Sequence, residues 1–167
     1  MFEGRFVERG SRDYEAARTD ALFNTRYPSR YPTAVLEAVS EADVVAGVLL
    51  ARERGWKVAA RSGGHAWAGW SVRDDALLID LAGLQEMTVD VDNLTATVTP
   101  AVRGGQDFSP FLRAHGVVFP GGHCSTVGLG GYLLQGGQGW NSRHWGWTCE
   151  NVLGVDVVTA DGELVHA

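Results

Sequence analysis

Several features that would assign the sequence quickly to a class of protein are absent. Two cysteines among 167 residues, neither in a CxxC pair, fit neither a disulfide framework nor a standard zinc site. Fourteen basic residues against twenty acidic ones, with no basic stripe, argue against nucleic-acid binding. No apolar run approaches a membrane span, and the start MFEGRFVERG has no signal-peptide core. We therefore expect a soluble, cytoplasmic protein without nucleic-acid or membrane partners.

The two best-known nucleotide-binding motifs are also absent. No GxxxxGK[ST] stretch is present, which excludes a Walker-type P-loop. The segment GLGGYL at Gly128 to Leu133 lacks the third glycine of the GxGxxG fingerprint, which excludes a Rossmann interpretation. If the chain holds a nucleotide, it uses another kind of loop.

The first half of the sequence alternates helix and strand signals. Residues 40–55 predict a helix that begins with Ser40 as N-cap and ends at Gly55. The segment Lys57 to Arg61 predicts a short strand, and Ala76 to Leu81 predicts a buried one. This mixture favours an α+β fold.

The second half predicts two hairpins around a helix. MTVDVDNLTATVTPAV reads as two strands joined at Asp92 and Asn93, and the closing segment turns at Asp161 and Gly162. Between them, GQDFSPFLRAHGVVFP predicts a helix with Phe108, Phe111 and Leu112 inward, then a strand from Val117 to Phe119. The segment GLGGYLLQGGQG is expected to hold one or two helical turns.

Two glycine-rich loops follow predicted strands, and each carries one reactive side chain. The first is RSGGH at Arg61 to His65, and the second has eight glycines between Gly121 and Gly139, with Cys124 among them. Glycine lets a ligand approach the backbone closely, so such loops suit a nucleotide anion. The alternatives are that the glycines serve turns and close packing, that His65 is an ordinary hydrogen-bonded histidine, and that Cys124 is a small buried residue.

These two loops resemble those of the flavoproteins of the vanillyl-alcohol oxidase and berberine bridge enzyme type. The likeness runs from about Tyr31 to the C-terminus and includes RSGGH and the longer stretch GHCSTVGLGGYLLQGGQGWNSRHWGWTCENVLGVDVVTADG. The resemblance implies a PCMH-type FAD-binding domain of two small α/β lobes. In the berberine-bridge branch the matching histidine bonds to the flavin 8-methyl carbon and the matching cysteine to ring carbon 6.

The resemblance therefore implies FAD attached through both His65 and Cys124. An imidazole nitrogen and a thiolate are nucleophiles suited to an electron-poor flavin ring. The implied cofactor-binding residues are Arg61, Ser62, Gly63, Gly64 and His65 in the first loop, and Cys124, Thr126, Val127, Gly128, Gly130, Gly131, Gly136 and Gly137 in the second. No catalytic base and no metal ligand can be named.

The implied reaction is oxidation of an alcohol or amine carbon of a small-molecule substrate, with hydride transfer to flavin N5. Val127 matches the position where the family controls access of molecular oxygen, and valine there favours an oxidase. The resemblance assigns residues 1–30 to an N-terminal extension and helix, and residues 31–167 to the FAD-binding domain, incomplete at its C-terminus. The substrate domain is absent, so a non-catalytic FAD-binding module, or a remnant that needs a partner chain, is the alternative function.

The second cysteine, Cys149, is expected to be a buried free thiol. A disulfide between Cys124 and Cys149 fits a cytoplasmic setting poorly. A zinc site formed from these two cysteines with His123 and His144 would have no standard ligand spacing.

Overall fold

The hydrophobic segments of the sequence form the cores of two units. The structure is a computed structural model that describes residues 1–167. One unit contains Met1–Gly83 together with Gly154–Ala167, and the other contains Leu84–Leu153. Helices and strands occur in both units, which confirms the predicted α+β class.

Most elements are short, and the longest helix has 13 residues, so none of the helices can cross a membrane. In chain order the elements are β1 (Arg5–Glu8), α1 (Tyr14–Thr19), β2 (Ala34–Glu37), α2 (Glu41–Glu53), β3 (Lys57–Arg61), β4 (Ala76–Asp80), β5 (Met87–Asp90), β6 (Thr95–Val98), a π-helical turn (Gly104–Phe108), α3 (Ser109–Ala114), α4 (Leu129–Leu134), α5 (Ser142–Trp145), a 3-10 turn (Thr148–Asn151), β7 (Asp156–Val158) and β8 (Leu164–His166).

The first unit is built on a four-stranded sheet in the order β1-β2-β4-β3. β2, β4 and β3 are parallel, and β1 runs antiparallel at the edge. Both faces of the central strands are apolar, as a parallel sheet covered on both sides requires. Leu36 and Ile79 pack in a core with α2, whereas Val35 and Leu78 pack in a second core with α1. The sheet thus pairs β3, at whose C-terminal end the first glycine loop begins, with the fully buried strand β4.

The predicted caps of α2 are confirmed. The Ser40 side chain accepts a hydrogen bond from the Asp43 backbone N–H at 3.2 Å, and Gly55 adopts a φ of +66° just after the helix. The Asp43 carboxylate in turn accepts from the backbone N–H groups of Glu3 and Gly4 at 2.8 and 2.9 Å. These bonds tie the first residues of the chain to the start of α2.

The second unit contains the β5-β6 hairpin and a core in which Val102, Phe108, Leu112 and Leu129 are buried. The predicted strand from Val117 to Phe119 is wrong, because no neighbouring strand pairs with it. The Val117 backbone N–H instead donates to the Leu112 carbonyl oxygen at 3.1 Å, at the end of α3. The apolar side chains of this segment pack against the core from an irregular loop.

Candidate functional site

The first glycine loop starts at Arg61, whose guanidinium is buried at 2% exposure. Its Nε and Nη2 donate to one carboxylate oxygen of Asp80, at 3.1 and 2.5 Å. Its Nη1 and Nη2 also donate to the carbonyl oxygens of Arg18 and Ala17, at 2.7 and 2.6 Å. All three nitrogens therefore bind protein groups, and Arg61 fixes the start of the loop to β4 and to the end of α1.

His65 is half-buried in the loop, as are Ser62, Gly63 and Gly64. Its imidazole stacks on the ring of Phe23, with centroids 4.5 Å apart and planes 19° from parallel. Burial lowers the pKa of His65 below its ordinary value of 6.5. The neutral imidazole, which is the nucleophilic form, is therefore favoured at neutral pH.

Gly64 is required by its surroundings. Its φ is +68°, and a Cβ there would overlap the carbonyl oxygen of Ala21. The Phe23 backbone N–H donates to the Gly64 carbonyl oxygen at 3.1 Å, and the Asn24 side chain donates to the Trp67 carbonyl oxygen at 3.2 Å. The segment after α1 therefore lies against the His65 loop, a contact that no local sequence pattern signals.

The second loop is held to its own unit by backbone hydrogen bonds. The N–H groups of Gly105 and Gln106 donate to the Ser125 carbonyl oxygen at 3.1 and 3.0 Å. The Gly104 N–H donates to the Val127 carbonyl oxygen at 3.0 Å, and Arg103 and Gly128 form an isolated antiparallel β-bridge. The backbone just after Cys124 is thereby fixed.

Cys124 is exposed and free, and so is Cys149. The prediction that Cys149 is buried is wrong, because its neighbour Thr148 takes the buried place in the 3-10 turn. The Thr148 hydroxyl oxygen lies 2.7 and 2.9 Å from the carbonyl oxygens of Pro120 and Gly137, and the cysteine that follows it is exposed. No group of three or more His, Cys, Asp or Glu side chains lies close enough together to hold a metal ion.

Tyr132 connects three parts of the glycine-rich segment. Its hydroxyl donates to the Pro120 carbonyl oxygen at 2.9 Å and lies 2.9 Å from the Thr148 hydroxyl. Its ring leaves no room for side chains at Gly122 or Gly137, where a Cβ would come within 2.9 and 2.8 Å of ring carbons. Packing around one aromatic ring therefore explains two of the eight glycines.

Other glycines of the second loop divide into packed and open positions. A Cβ at Gly130 would lie 2.6 Å from the Cβ of Pro100, and one at Gly136 would lie 3.3 Å from the Trp147 ring. Gly131 differs, because a Cβ there would meet nothing within 4 Å although the residue is part of α4. Gly131 is therefore the loop glycine whose open face a ligand could cover.

The second unit also has an open cavity of about 490 Å³ beside the loop. It is lined by His123, Gln138, Gly139, Trp140, Ser142, Arg143 and Trp147. None of the predicted site residues lines this cavity. The centroids of the His123 and Trp140 rings lie 3.9 Å apart. His123, which precedes Cys124, therefore packs on the Trp140 indole, which is otherwise exposed.

Comparison with known proteins identifies the family. Residues 32–167 match the family described as FAD binding domain, and the chain belongs to that family. FAD-linked oxidoreductase nodO of Hypoxylon pulicicidum is 44% identical over 156 residues, which are 93% of this chain and 34% of that protein. The present chain therefore spans about a third of the length of this curated relative.

Solved structures of similar proteins have the same fold. Wild-type BBE-like 1 of Physcomitrella patens has a TM-score of 0.90 at 32% identity, covering 99% of this chain and 36% of that one. Wild-type Phl p 4.0202, a glucose dehydrogenase, has a TM-score of 0.90 at 27% identity, covering 97% of this chain and 35% of that one. An isoleucine-to-valine variant of Phl p 4 is a glucose oxidase, and its TM-score is also 0.90, at 28% identity and with the same coverage.

These findings confirm the predicted PCMH-type, berberine bridge enzyme-like FAD-binding fold. The described residues fit the cofactor, since an exposed thiol, an imidazole of lowered pKa and a glycine with an open face lie on the loops expected to hold it.

Proposed function

We propose that this chain is the flavin-binding part of an FAD-dependent oxidoreductase, with FAD attached covalently through His65 and Cys124. The observation that carries the proposal is the state of these two nucleophiles. The Cys124 thiol is exposed and free on a fixed backbone, and the pKa of the His65 imidazole is lowered by burial.

We assign different roles to the predicted binding residues, and the contacts of the loops support this division. The backbones of Ser62, Gly63 and Gly64, and of the Thr126–Gly131 segment, hold the cofactor. Arg61 positions the first loop, because its three guanidinium nitrogens already donate to protein oxygens. Gly136 and Gly137 shape the second loop through their packing against aromatic rings.

When bound, FAD supplies a hydride acceptor at N5 for oxidation of an alcohol or amine carbon, and molecular oxygen then takes the electrons. Val127, which is half-buried behind the Cys124 loop, controls access of oxygen. Among proteins of this fold, an isoleucine-to-valine variant of Phl p 4 is a glucose oxidase and wild-type Phl p 4.0202 is a glucose dehydrogenase, which supports an effect of a valine on the electron acceptor. The proposed activity is therefore that of an oxidase with a small-molecule substrate.

A non-catalytic FAD-binding module, dependent on further protein for turnover, is the second candidate. The exposure of large apolar side chains favours it: Leu134 and Leu153 are 83% and 85% exposed. Exposed apolar side chains of this size are available for contact with further protein. Turnover of candidate alcohols with a dye acceptor by the FAD-loaded chain separates the two candidates, because a module stays yellow and idle.

The proposal is tested by the covalent state of the flavin. The expressed chain is precipitated with acid, washed and redissolved, and its visible spectrum and intact mass are recorded. We expect a yellow pellet and a mass increase of one FAD, because two nucleophiles on the flavin loops form bonds that acid does not break. A colourless pellet at the mass of the bare chain would contradict covalent attachment.

Gly131→Ala is expected to weaken FAD binding without harming the fold. The added methyl group meets no protein atom within 4 Å, and alanine favours a helix more than glycine does. The methyl group does occupy the open face assigned to FAD, so we expect affinity to fall about tenfold or more. Titration of flavin-free protein by fluorescence measures the affinity, and thermal unfolding measures the stability.

The neighbouring variant Gly130→Ala is the matched control. Its methyl group would collide with Pro100, so it should lower the free energy of unfolding by about 1–3 kcal/mol. If Gly131→Ala binds FAD as tightly as the wild type, FAD does not cover that face of α4.

A further inference from the structure

The face of the His65 imidazole is covered by an aromatic ring from a distant part of the sequence. The Phe23 ring stacks on it with centroids 4.5 Å apart, and the Trp67 indole meets the edge of Phe23 at 5.2 Å and 72°. Phe23 is 45% exposed, so one side of its ring covers the histidine while the rest faces solvent. A phenylalanine kept for the core would be buried more completely.

Backbone contacts fix Phe23 against the loop. Its N–H donates to the Gly64 carbonyl oxygen at 3.1 Å, and the Leu22 N–H donates to the Thr19 carbonyl oxygen at 2.9 Å. The Ala21 carbonyl oxygen fills the space that a side chain at Gly64 would need. The segment after α1 therefore cannot slide along the loop without breaking these contacts.

We infer that Phe23 is a positioning residue for flavin attachment at His65, because its ring fixes the plane of the imidazole and excludes water from one face. This inference rests on the proposed function. Ring nitrogens lie in the plane of an imidazole, so a stacked neighbour confines the direction of the nitrogens to one plane. Attack on a carbon atom requires that direction to be correct within a narrow range.

The bond that depends on this orientation joins an imidazole nitrogen of His65 to the 8-methyl carbon of FAD. The carbon loses one hydrogen, the ring nitrogen that carries the lone pair forms the bond, and the imidazole loses the proton held by its other nitrogen. The two electrons released pass through the flavin to molecular oxygen, which takes up both hydrogens and leaves as hydrogen peroxide. A neutral imidazole is required, and the burial that lowers the pKa of His65 is consistent with a role for the covering ring.

The test measures attachment at His65 alone, in a Cys124→Ala background. Protein from riboflavin-limited cells is supplied with FAD in air, and the mass increase is followed over time at several pH values. Phe23→Ala should slow attachment by about tenfold or more. It should also move the rise of the rate with pH toward higher pH, because a more exposed imidazole has a pKa nearer 6.5.

Three further variants separate positioning from support of the fold. Phe23→Tyr keeps the stacked ring and should restore the wild-type rate and pH profile. Phe23→Leu keeps apolar volume without a ring and should remain slow, which provides a second variant if Phe23→Ala is insoluble. Tyr27→Ala removes an exposed aromatic ring from the same segment and should leave attachment unchanged.

Two results would overturn the inference in distinguishable ways. Attachment of Phe23→Ala and Phe23→Leu at the wild-type rate and pH profile overturns the positioning role and leaves the proposed function intact. If the parent chain, which is unchanged at Phe23, never gains flavin mass at His65, the proposed histidyl attachment is wrong, and so is the positioning role.

Discussion

Replacement of both His65 and Cys124 by alanine is expected to abolish covalent attachment of FAD, whereas each single replacement leaves one bond. The two side chains are nucleophiles of different kinds on different loops, so loss of one does not remove the other. After acid precipitation, the single variants should stay yellow and carry the mass of one FAD. The double variant should be colourless and have the mass of the bare chain.

Matched controls come from the chain itself. Cys149→Ala removes a thiol that is also exposed and free, and His144→Ala removes an exposed imidazole near the second loop. Neither should change the attached mass. Retention of acid-stable flavin in the double variant would place the bond on another residue, and peptide mapping of the flavin-labelled fragment would identify it.

The contrast between the two thiols shows how far the sequence could predict the candidate site. The resemblance predicts a flavin role for Cys124 and none for Cys149, and that distinction stays a prediction, whereas the predicted burial of Cys149 is wrong. Burial at this point depends on Thr148, whose hydroxyl finds two carbonyl oxygens from residues 11 and 28 positions away. Local sequence cannot encode a contact of that kind.

Much of the fold could be predicted where short-range rules apply. The cap of α2 at Ser40 and the bounds of β3 follow from residues within one turn or one strand, and both predictions are confirmed. The segment from Val117 to Phe119 has strand-forming residues, yet it lacks a partner strand and packs as a loop. Strand formation is a property of a pair, and one segment alone does not determine it.

The glycine-rich segment shows the same limit at the candidate site. In the sequence its eight glycines look equivalent, and close approach by a ligand could explain any of them. In the structure Gly130 packs on Pro100 and Gly137 on Tyr132, whereas Gly131 has an open face. Only the folded chain separates the glycines that protein contacts require from Gly131, where an added methyl group would meet no protein atom within 4 Å.

Arg61→Met is expected to lower the free energy of unfolding by about 3–5 kcal/mol. The substitution leaves the Asp80 carboxylate buried at 5% exposure without its charge partner. It also leaves the carbonyl oxygens of Ala17 and Arg18 without their donors at the end of α1. Domains of this size have total stabilities of about 5–15 kcal/mol, so the midpoint of urea unfolding should fall sharply.

The control for Arg61 is Arg5→Met, which breaks two hydrogen bonds to Glu37 and one to Asp13 at the surface, where the Arg5 side chain is 51% exposed. Water and salt weaken such pairs, so their loss should move the urea midpoint much less than Arg61→Met does. Equal urea midpoints for the two variants would mean that Arg61 does not hold the end of β3 to β4 and to the end of α1. A large difference would mean that Arg61 acts chiefly by holding the first glycine loop in place. This agrees with its ion pair, because the Arg61 charge is already balanced by Asp80.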